Sequence, residues 1–154
     1  MLPLTIYLIT SAADAEKTPE TIQHYQNNFP EAHIIVLCEG NIQSVIHTAI
    51  LQGCSLINWG PATLQMKRDL KNNMWKTKTS PGWTMYVENG FLLQATSQDI
   101  QNEEEQNITL LTIDKPLQVV CFRQDLIKEI KFPLEDGKLI ALGKINWSSK
   151  NYTT

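Results

Sequence analysis

Residues 33–58, HIIVLCEGNIQSVIHTAILQGCSLIN, establish the fold class of this chain. They begin with the apolar run 33–37, which lacks polar alternation and is typical of a strand covered on both faces. Apolar residues at helical spacing then predict a helix with Asn41 as its N-cap and Gly53 as its C-terminal glycine. A third segment, 55–58, predicts another strand. Strand, helix and strand in this order indicate a parallel βαβ unit.

The same alternation extends on both sides of this unit. Residues 4–10 predict a first strand, although this apolar run and the small residues after it superficially resemble a signal peptide. Thr18 is a good N-cap and Pro19 suits the first helical position, so a helix follows and ends at Pro30. Another helix is expected from Gly60 to about residue 76. The first half therefore reads β-α-β-α-β-α, which predicts a parallel sheet with helices on its faces.

The second half has a different pattern. Residues 83–95 contain two alternating runs joined by Asn89-Gly90, which predicts a type I′ hairpin. The acidic segment 98–107 is interpreted as an exposed loop. Further elements are expected as two strands, a short amphipathic helix and a last strand, at 108–113, 117–122, 123–131 and 138–147. The predicted fold is α/β and three-layer. It has a mostly parallel central sheet with helices on both faces and an antiparallel hairpin in the second half.

Composition limits the size of the protein and the class of its partners. The chain has 154 residues, of which 42% are hydrophobic and 19% charged, with a net charge of −3. This length suits a single α/β domain, assigned to 1–147, with a polar C-terminal tail at 148–154. The mild acidity argues against nucleic-acid binding, and no run approaches the roughly 20 apolar residues of a membrane span. Three cysteines without metal spacing favour free thiols and a cytoplasmic location.

Candidate ligand-binding residues follow from a rule for open α/β sheets, in which ligands bind beyond the carboxyl ends of the strands. No phosphate loop, nucleophile elbow or metal-binding motif is present in the sequence. The residues that follow the first three predicted strands offer hydroxyl, carboxylate, amide and indole groups suited to a ribose, a sugar or a base: Thr10, Ser11, Asp14, Cys38, Glu39, Asn41, Asn58, Trp59 and Gly60. The alternative is that they are ordinary turn and cap residues.

Two further positions are candidates for chemistry in the second half. Glu135 and Asp136 precede a glycine in a predicted turn, where paired acids are solvated turn formers or, facing a cleft, a general base. Arg123 follows an apolar strand. It is a candidate for binding an anionic ligand, or it forms a surface ion pair with Asp125 or Glu129.

This layout resembles the nucleotide-diphospho-sugar transferase (GT-A) fold of inverting glycosyltransferases. Three segments carry the resemblance: residues 6–37, the run 53–58, and 121–136 with its terminal Glu-Asp. The resemblance implies that Glu39 contacts a nucleotide and that Asp136, beside Glu135, acts as the catalytic base. The family's metal-binding Asp-x-Asp is replaced by Asn58-Trp59-Gly60, which cannot hold a divalent cation as two carboxylates do, so no metal ligand is predicted and the cofactor is unknown.

Two functions from different classes remain open at this point. The first is a small glycosyltransferase-like protein that binds a nucleotide-sugar at the carboxyl ends of the strands. The second is a non-catalytic α/β binding or protein-interaction domain, of a phage or mobile-element type. The second hypothesis places a protein partner on the hairpin at Asn89-Gly90 or on the acidic loop, with Trp83 in the contact.

Overall fold

A computed structural model describes residues 1–60, 63–113, 117–127 and 144–146. The strands are β1 (Leu4–Thr10), β2 (His33–Cys38), β3 (Ser55–Asn58), β4 (Trp83–Glu88), β5 (Leu110–Ile113), β6 (Val119–Arg123) and β7 (Lys144–Asn146). The helices are α1 (Thr18–Asn28), α2 (Gln43–Leu51), α3 (Leu64–Met74) and α4 (Ser97–Glu105), with short 3-10 helices at Ala12–Lys17 and Trp75–Thr77. No helix in these described ranges is long and apolar enough to span a membrane.

All seven strands form one sheet in the order β3-β2-β1-β4-β6-β5-β7. Strands β3, β2, β1 and β4 run parallel to one another. Strand β6 runs antiparallel between β4 and β5, and β7 is parallel to β5. The predicted α/β class is confirmed, with a mostly parallel sheet and antiparallel pairing in the second half.

Two apolar cores cover the two faces of the sheet. On one face, side chains of α1, α2 and α4 such as Ile22, Val45 and Ile100 pack against alternate residues of the strands. On the other face, Trp75 lies after α3 and packs edge-to-face against Phe122 at 5.1 Å between ring centroids. Strands buried on both faces need continuous apolar runs, which explains the pattern of β2. The three-layer arrangement is therefore confirmed.

The helix starts differ from the predicted ones because neighbouring turns take up the capping residues. The helix α1 begins directly after the 3-10 helix with Lys17 as N-cap. The Thr18 hydroxyl instead accepts a hydrogen bond from the Asn89 amide at 3.0 Å. The N-cap of α2 is Ile42, while the Asn41 side chain accepts from the Asn58 amide at 3.0 Å. The predicted Gly53 is confirmed, with a φ of +73°.

The predicted hairpin at Asn89-Gly90 is wrong. Strand β4 ends at Glu88 and the chain turns at Asn89-Gly90, but residues 91–96 form no strand. Instead β4 pairs in parallel with β1 and antiparallel with β6, both distant in sequence. The Leu93 backbone N–H donates to the Tyr25 hydroxyl at 3.2 Å, so this segment packs on α1. The local turn signal was present, but non-local pairing decided the partner of β4.

The predicted acidic loop is also wrong, because its residues form α4. Thr96 and Asp99 make a capping box, in which the Asp99 carboxylate accepts from the Thr96 N–H at 2.7 Å. Ile100 is fully buried and Glu103 is 3% exposed. Capping and one buried face stabilise a helix despite its run of acidic residues.

The predicted helix at 123–131 is wrong in its described part. Arg123 ends strand β6, and residues 124–126 form a turn. The rest of that helix lies outside the described residues. Strand β7 falls within the predicted strand 138–147, whose other residues also lie outside. The assignment of 1–147 to one domain and of 148–154 to a tail stays a prediction.

Candidate functional site

The parallel strands end together at one edge of the sheet, here called the carboxyl edge. The register places Thr10 beside Cys38 and Cys38 beside Asn58. Ile9 lies beside Glu88 at the end of β4. The chain leaves β1 toward β2 and returns on the other side of β1 to β4. The point between β1 and β4 is therefore the topological switch point, where open α/β sheets bind ligands.

The end of β1 is held by short polar contacts. The buried Thr10 hydroxyl donates to the Leu37 carbonyl at 3.0 Å and so ties β1 to β2. Ser11 caps the following 3-10 helix, and its N–H donates to the Asp14 carboxylate at 2.9 Å. The Ser11 hydroxyl donates to the same carboxylate at 3.3 Å. Both predicted residues lie at the carboxyl edge, and their contacts fix the loop that leaves β1.

The end of β4 contributes an amide that sequence reasoning treated as a turn former. The Asn89 side chain is 7% exposed. Its Nδ2 donates to the Asp14 carbonyl at 2.9 Å, to the Asp14 carboxylate at 3.0 Å and to the Thr18 hydroxyl at 3.0 Å. These bonds join the ends of β1 and β4 across the switch point. The only signal in the sequence is that Glu88 and Asn89 come directly after the largely apolar run 83–87, as Glu39 comes directly after β2.

The loops after β2 and β3 present the most accessible polar groups. The Glu39 N–H donates to the Thr10 carbonyl at 3.2 Å, which places the half-buried Glu39 beside the end of β1. Gly40 follows with a φ of +91°, a conformation that favours glycine. The Asn58 carboxamide accepts from the Gly60 N–H at 2.8 Å and donates to Asn41. The structure thus brings Glu39, Asn41 and Asn58 to one edge, as predicted.

Trp59 lies at the same edge but turns its indole into the protein. Its backbone N–H donates to the Cys38 carbonyl at 3.1 Å. The side chain is 9% exposed and packs in the second core with Leu37 and Trp75. The indole therefore packs beneath the carboxyl edge, and only a small part of it is accessible to a ligand.

A shallow depression of about 20 Å³ lies between the ends of β1 and β4 and the start of β6. Its lining includes Ile9 of β1, Tyr86 and Glu88 of β4, Lys71 of α3 and Gln118 before β6. The Tyr86 hydroxyl donates to the Lys71 carbonyl at 3.1 Å. Burial raises the pKa of the Tyr86 phenol, so it stays a neutral donor. Sites for whole drug-sized ligands take roughly 300–1,000 Å³, so this depression is too small to enclose a ring, and the edge is an open surface.

Arg123 lies far from this edge. It pairs with Trp83 at the start of β4, on the opposite edge of the sheet, here called the amino edge. Its guanidinium donates to both carboxylate oxygens of Asp125, at 3.1 and 2.8 Å. These hydrogen bonds hold the pKa of Asp125 below its usual range. The structure therefore does not bring Arg123 together with the other candidate residues, and it shows the Asp125 pairing left open by the sequence.

The predicted catalytic pair lies outside the described residues. Nothing described places Glu135 or Asp136 relative to the carboxyl edge, so their role stays a prediction. Among the described side chains, no three His, Cys, Asp or Glu residues are grouped to hold a metal ion. Cys38, Cys54 and Cys121 carry free thiols, and burial raises the pKa of the Cys121 thiol.

Known proteins share this fold at low sequence identity. No family model matches the sequence, and no curated protein matches it at a significant level. A cytidylyltransferase from Leptospira borgpetersenii covers 82% of this chain and 62% of its own, at 14% identity and a TM-score of 0.56. A mannosyltransferase from Pyrobaculum calidifontis, solved with GDP-Man and Mn²⁺, covers 86% of this chain and 48% of its own, at 9% identity and a TM-score of 0.54.

A glycosyltransferase from Streptococcus pneumoniae is a third similar structure. It covers 79% of this chain and 34% of its own, at 10% identity and a TM-score of 0.54. This chain spans less than two thirds of the length of each of the three proteins. At these identities the likeness extends to the fold and no further. The chain has a GT-A glycosyltransferase-like fold, in agreement with the resemblance of its sequence.

Proposed function

We propose that this protein binds a nucleotide-sugar at the carboxyl edge, as a small glycosyltransferase-like protein. The observation that carries the proposal is the switch point between β1 and β4, with Glu39 and Asn58 on the loops that follow β2 and β3 at the same edge, in a GT-A-like fold. Similar folds bind such ligands in solved structures, for example the mannosyltransferase with GDP-Man. The strand order supports the same site without that likeness, because a switch point brings loop ends and polar groups together.

Each residue at the carboxyl edge is proposed to contact a different part of the ligand. The Glu39 carboxylate is the acceptor for ribose hydroxyl groups, which a charged acceptor binds more strongly than a neutral one. Asn41 and Asn58 lie at the exposed rim, where their amides add hydrogen bonds to sugar hydroxyls. Asp136 is proposed as the general base toward an acceptor hydroxyl, with Glu135 beside it.

A thermal-shift screen tests binding. The probes are uridine, guanosine and cytidine diphosphates and their sugar conjugates, with and without Mn²⁺. A ligand that binds only the folded state stabilises it by about 2.7 kcal/mol at a hundred times its dissociation constant. We expect one nucleotide to raise the melting temperature of the protein. A flat screen across all the probes would contradict the proposal.

A pair of matched variants locates the site. Glu39→Gln removes the charge from the carboxyl edge, and we expect it to weaken nucleotide binding about tenfold through loss of a charge-assisted hydrogen bond. Glu105→Gln makes the same chemical change on the exposed end of α4, on an element that contributes nothing to this edge. Isothermal titration should therefore give the second variant the wild-type affinity. Equal losses in both variants would remove the site from the carboxyl edge.

Turnover is tested separately from binding. Asp136→Asn should abolish transfer of the sugar to an acceptor while the melting temperature and the nucleotide affinity stay unchanged. Transfer is measured as release of free nucleotide diphosphate. Activity that survives this substitution would show that another group is the base. Binding without any turnover in the wild type would leave the nucleotide-sugar site intact and remove the enzyme assignment.

The second candidate is a non-catalytic binding domain, and one observation favours it. Both ends of the Asn58 carboxamide are already bonded within the loops, to Gly60 and Asn41. A side chain used in this way stabilises its own loop and offers less to a ligand. Of the features predicted for a partner contact, Asn89 and Trp83 are buried, whereas the acidic segment keeps an exposed face on α4, with Gln98, Asn102 and Glu105. That exposed face of α4 therefore stays the predicted surface for a partner.

A further inference from the structure

One long segment of the chain contains no charged residue. Between Glu39 and Lys67 there is no Asp, Glu, Lys or Arg, although the rest of the chain carries thirteen basic and sixteen acidic residues. This charge-free segment, residues 40–66, includes α2, β3 and the first residues of α3. Exposed surfaces normally mix charges of both signs, because charge keeps proteins soluble and monomeric. An uncharged segment at the surface is therefore a candidate surface for contact with another protein.

The charge-free segment also exposes large apolar side chains. Ile50 and Leu51 at the end of α2 are 68% and 72% exposed, and they are the most exposed large apolar residues in the described ranges. Ile57 of β3 is 38% exposed, and Met66 at the start of α3 is 53% exposed. Leu56 packs in the first core with α2, so its neighbour Ile57 points to the other face of the sheet. The exposed apolar side chains of the segment therefore lie on both faces at this end of the sheet, and the absence of charged residues from the segment that carries them indicates a contact surface.

Strand β3 adds an unpaired backbone to this surface. It lies at the end of the strand order and pairs with β2 along one side only among the described strands. Natural edge strands are usually protected by lysine, proline, inward-pointing charge or a bulge. The sequence of β3, SLIN, has none of these residues. None of the described strands pairs with its outer edge, so this edge can accept another strand.

We propose that a second copy of this chain occupies this surface, with the two β3 strands paired antiparallel across a two-fold axis. A two-fold contact uses the same patch on both copies, so the patch must complement itself. Two chains that each carry a net charge of −3 repel one another, and an uncharged face is where this repulsion costs least. Apolar side chains on both copies then bury one another, and the unpaired backbone groups of both β3 strands are satisfied together.

A stable contact requires more buried area than β3 alone provides. Four residues of β3 span only about 13 Å, and a stable interface buries roughly 800 Å² on each partner. The side chains of Ile50 and Leu51 extend the contact beyond one face of the strand. Antiparallel pairing turns the carboxyl edges of the two copies in opposite directions. Both candidate sites therefore stay open in the dimer, and association is independent of nucleotide binding.

The mass of the full chain in solution tests this proposal. We measure it by sedimentation equilibrium across a range of protein concentrations, and we expect a monomer–dimer equilibrium. Ile57→Lys places two like charges near the axis, and we expect it to weaken dimerisation at least about tenfold. Ile50→Lys changes a helix residue that is already mostly exposed, so it should weaken the dimer without affecting folding. Leu126→Lys is the matched control, because Leu126 is 53% exposed in the turn after β6.

The masses of the wild type and of the three variants either support or overturn the proposed dimer. Loss of the dimer in the Ile57 and Ile50 variants, with a wild-type dimer in the Leu126 variant, supports the proposal. Slower amide hydrogen exchange in residues 55–58 at high protein concentration supports strand pairing in particular. A monomer at every concentration overturns it, and so does a dimer that survives both substitutions. Open-ended aggregates would also overturn it, because a two-fold contact closes after two copies.

Discussion

The two edges of the sheet use polar residues for different purposes. At the amino edge, Trp83 is fully buried, its indole N–H donates to the Glu104 carboxylate at 3.0 Å, and Arg123 binds Asp125 through two hydrogen bonds. At the carboxyl edge, Glu39 stays half-buried on a loop whose backbone is tied to β1. Buried pairing through an indole N–H and a bidentate guanidinium stabilises the first edge, whereas the second holds a half-buried carboxylate on a loop whose backbone is fixed. The type of a residue does not show which edge it belongs to, as Arg123 illustrates.

The largest expected loss of stability is at Trp83, and it tests whether the amino edge is structural. Trp83→Ala should lower the free energy of unfolding by about 3–5 kcal/mol, because it opens a cavity under α4 and removes the donor to Glu104. Trp83→Phe keeps an aromatic ring and should lose less than Trp83→Ala, about 2–3 kcal/mol, since the hydrogen bond to Glu104 and the volume of the second ring are both removed. Urea denaturation measures both. A Trp83→Ala variant of wild-type stability would show that the amino edge is not a structural element.

The next effect concerns the carboxyl edge, where one residue is structural rather than accessible. Asn89→Ala should cost about 2–3 kcal/mol, because it removes the amide donor to the Asp14 carbonyl and to the buried Thr18 hydroxyl, while the Asp14 carboxylate keeps its bonds from Ser11. Asn102→Ala on the exposed face of α4 is the control and should change stability by less than about 0.5 kcal/mol. The two unfolding curves are compared at neutral pH. Equal curves would contradict the role of Asn89 in joining β1 to β4.

The ion pair at the amino edge should give stability a dependence on pH. The Arg123 guanidinium lowers the pKa of Asp125 in the folded state. The pair therefore contributes above the unfolded-state pKa and is lost as the pH falls through the lowered folded-state pKa. Asp125→Asn should cost about 1–2 kcal/mol at pH 7. The difference from wild type should shrink in acid, as measured by urea denaturation over a series of pH values. A difference that stays constant in acid would show that the carboxylate charge is not its cause.

The smallest effect on stability is expected at Glu39. Glu39→Gln should lower the free energy of unfolding by about 1 kcal/mol or less, because the substitution keeps the size of a half-buried side chain and its ability to accept a hydrogen bond. The backbone N–H that ties the loop to Thr10 is unaffected by this substitution. The comparison between the edges becomes sharper if the same variant loses nucleotide affinity. A large loss of stability would instead make Glu39 a structural residue like Asn89.

Much of the fold was predictable because its signals are local. The strands β1, β2 and β3 and the helices between them follow from apolar runs, helical spacing and a glycine at Gly53. The acidic segment failed as a prediction because charge suggested exposure. Two features outweighed charge there: the capping box at Thr96 and the buried Ile100. Cap and apolar spacing were both visible in the sequence and are better evidence than composition.

The candidate site was predictable in part. Because the carboxyl ends of parallel strands meet at one edge, the residues after β1, β2 and β3 could be grouped from order alone. Glu88 and Asn89 were missed, since their strand was assigned to a hairpin. Arg123 was grouped with the site by residue type. Its antiparallel strand carries it to the other edge.

The sequence by itself determined the alternation of strands and helices, the buried runs and the residues that follow each parallel strand. These properties depend on neighbours a few positions apart, and periodicity records such neighbours directly. Only the tertiary structure decided that β4 lies beside β1 and β6, that Asn89 links two strand ends, and that Arg123 faces Asp125 away from the site. Such pairings join residues distant in the chain. They depend on which backbone hydrogen bonds and buried surfaces form together, and no local pattern in the sequence contains that information.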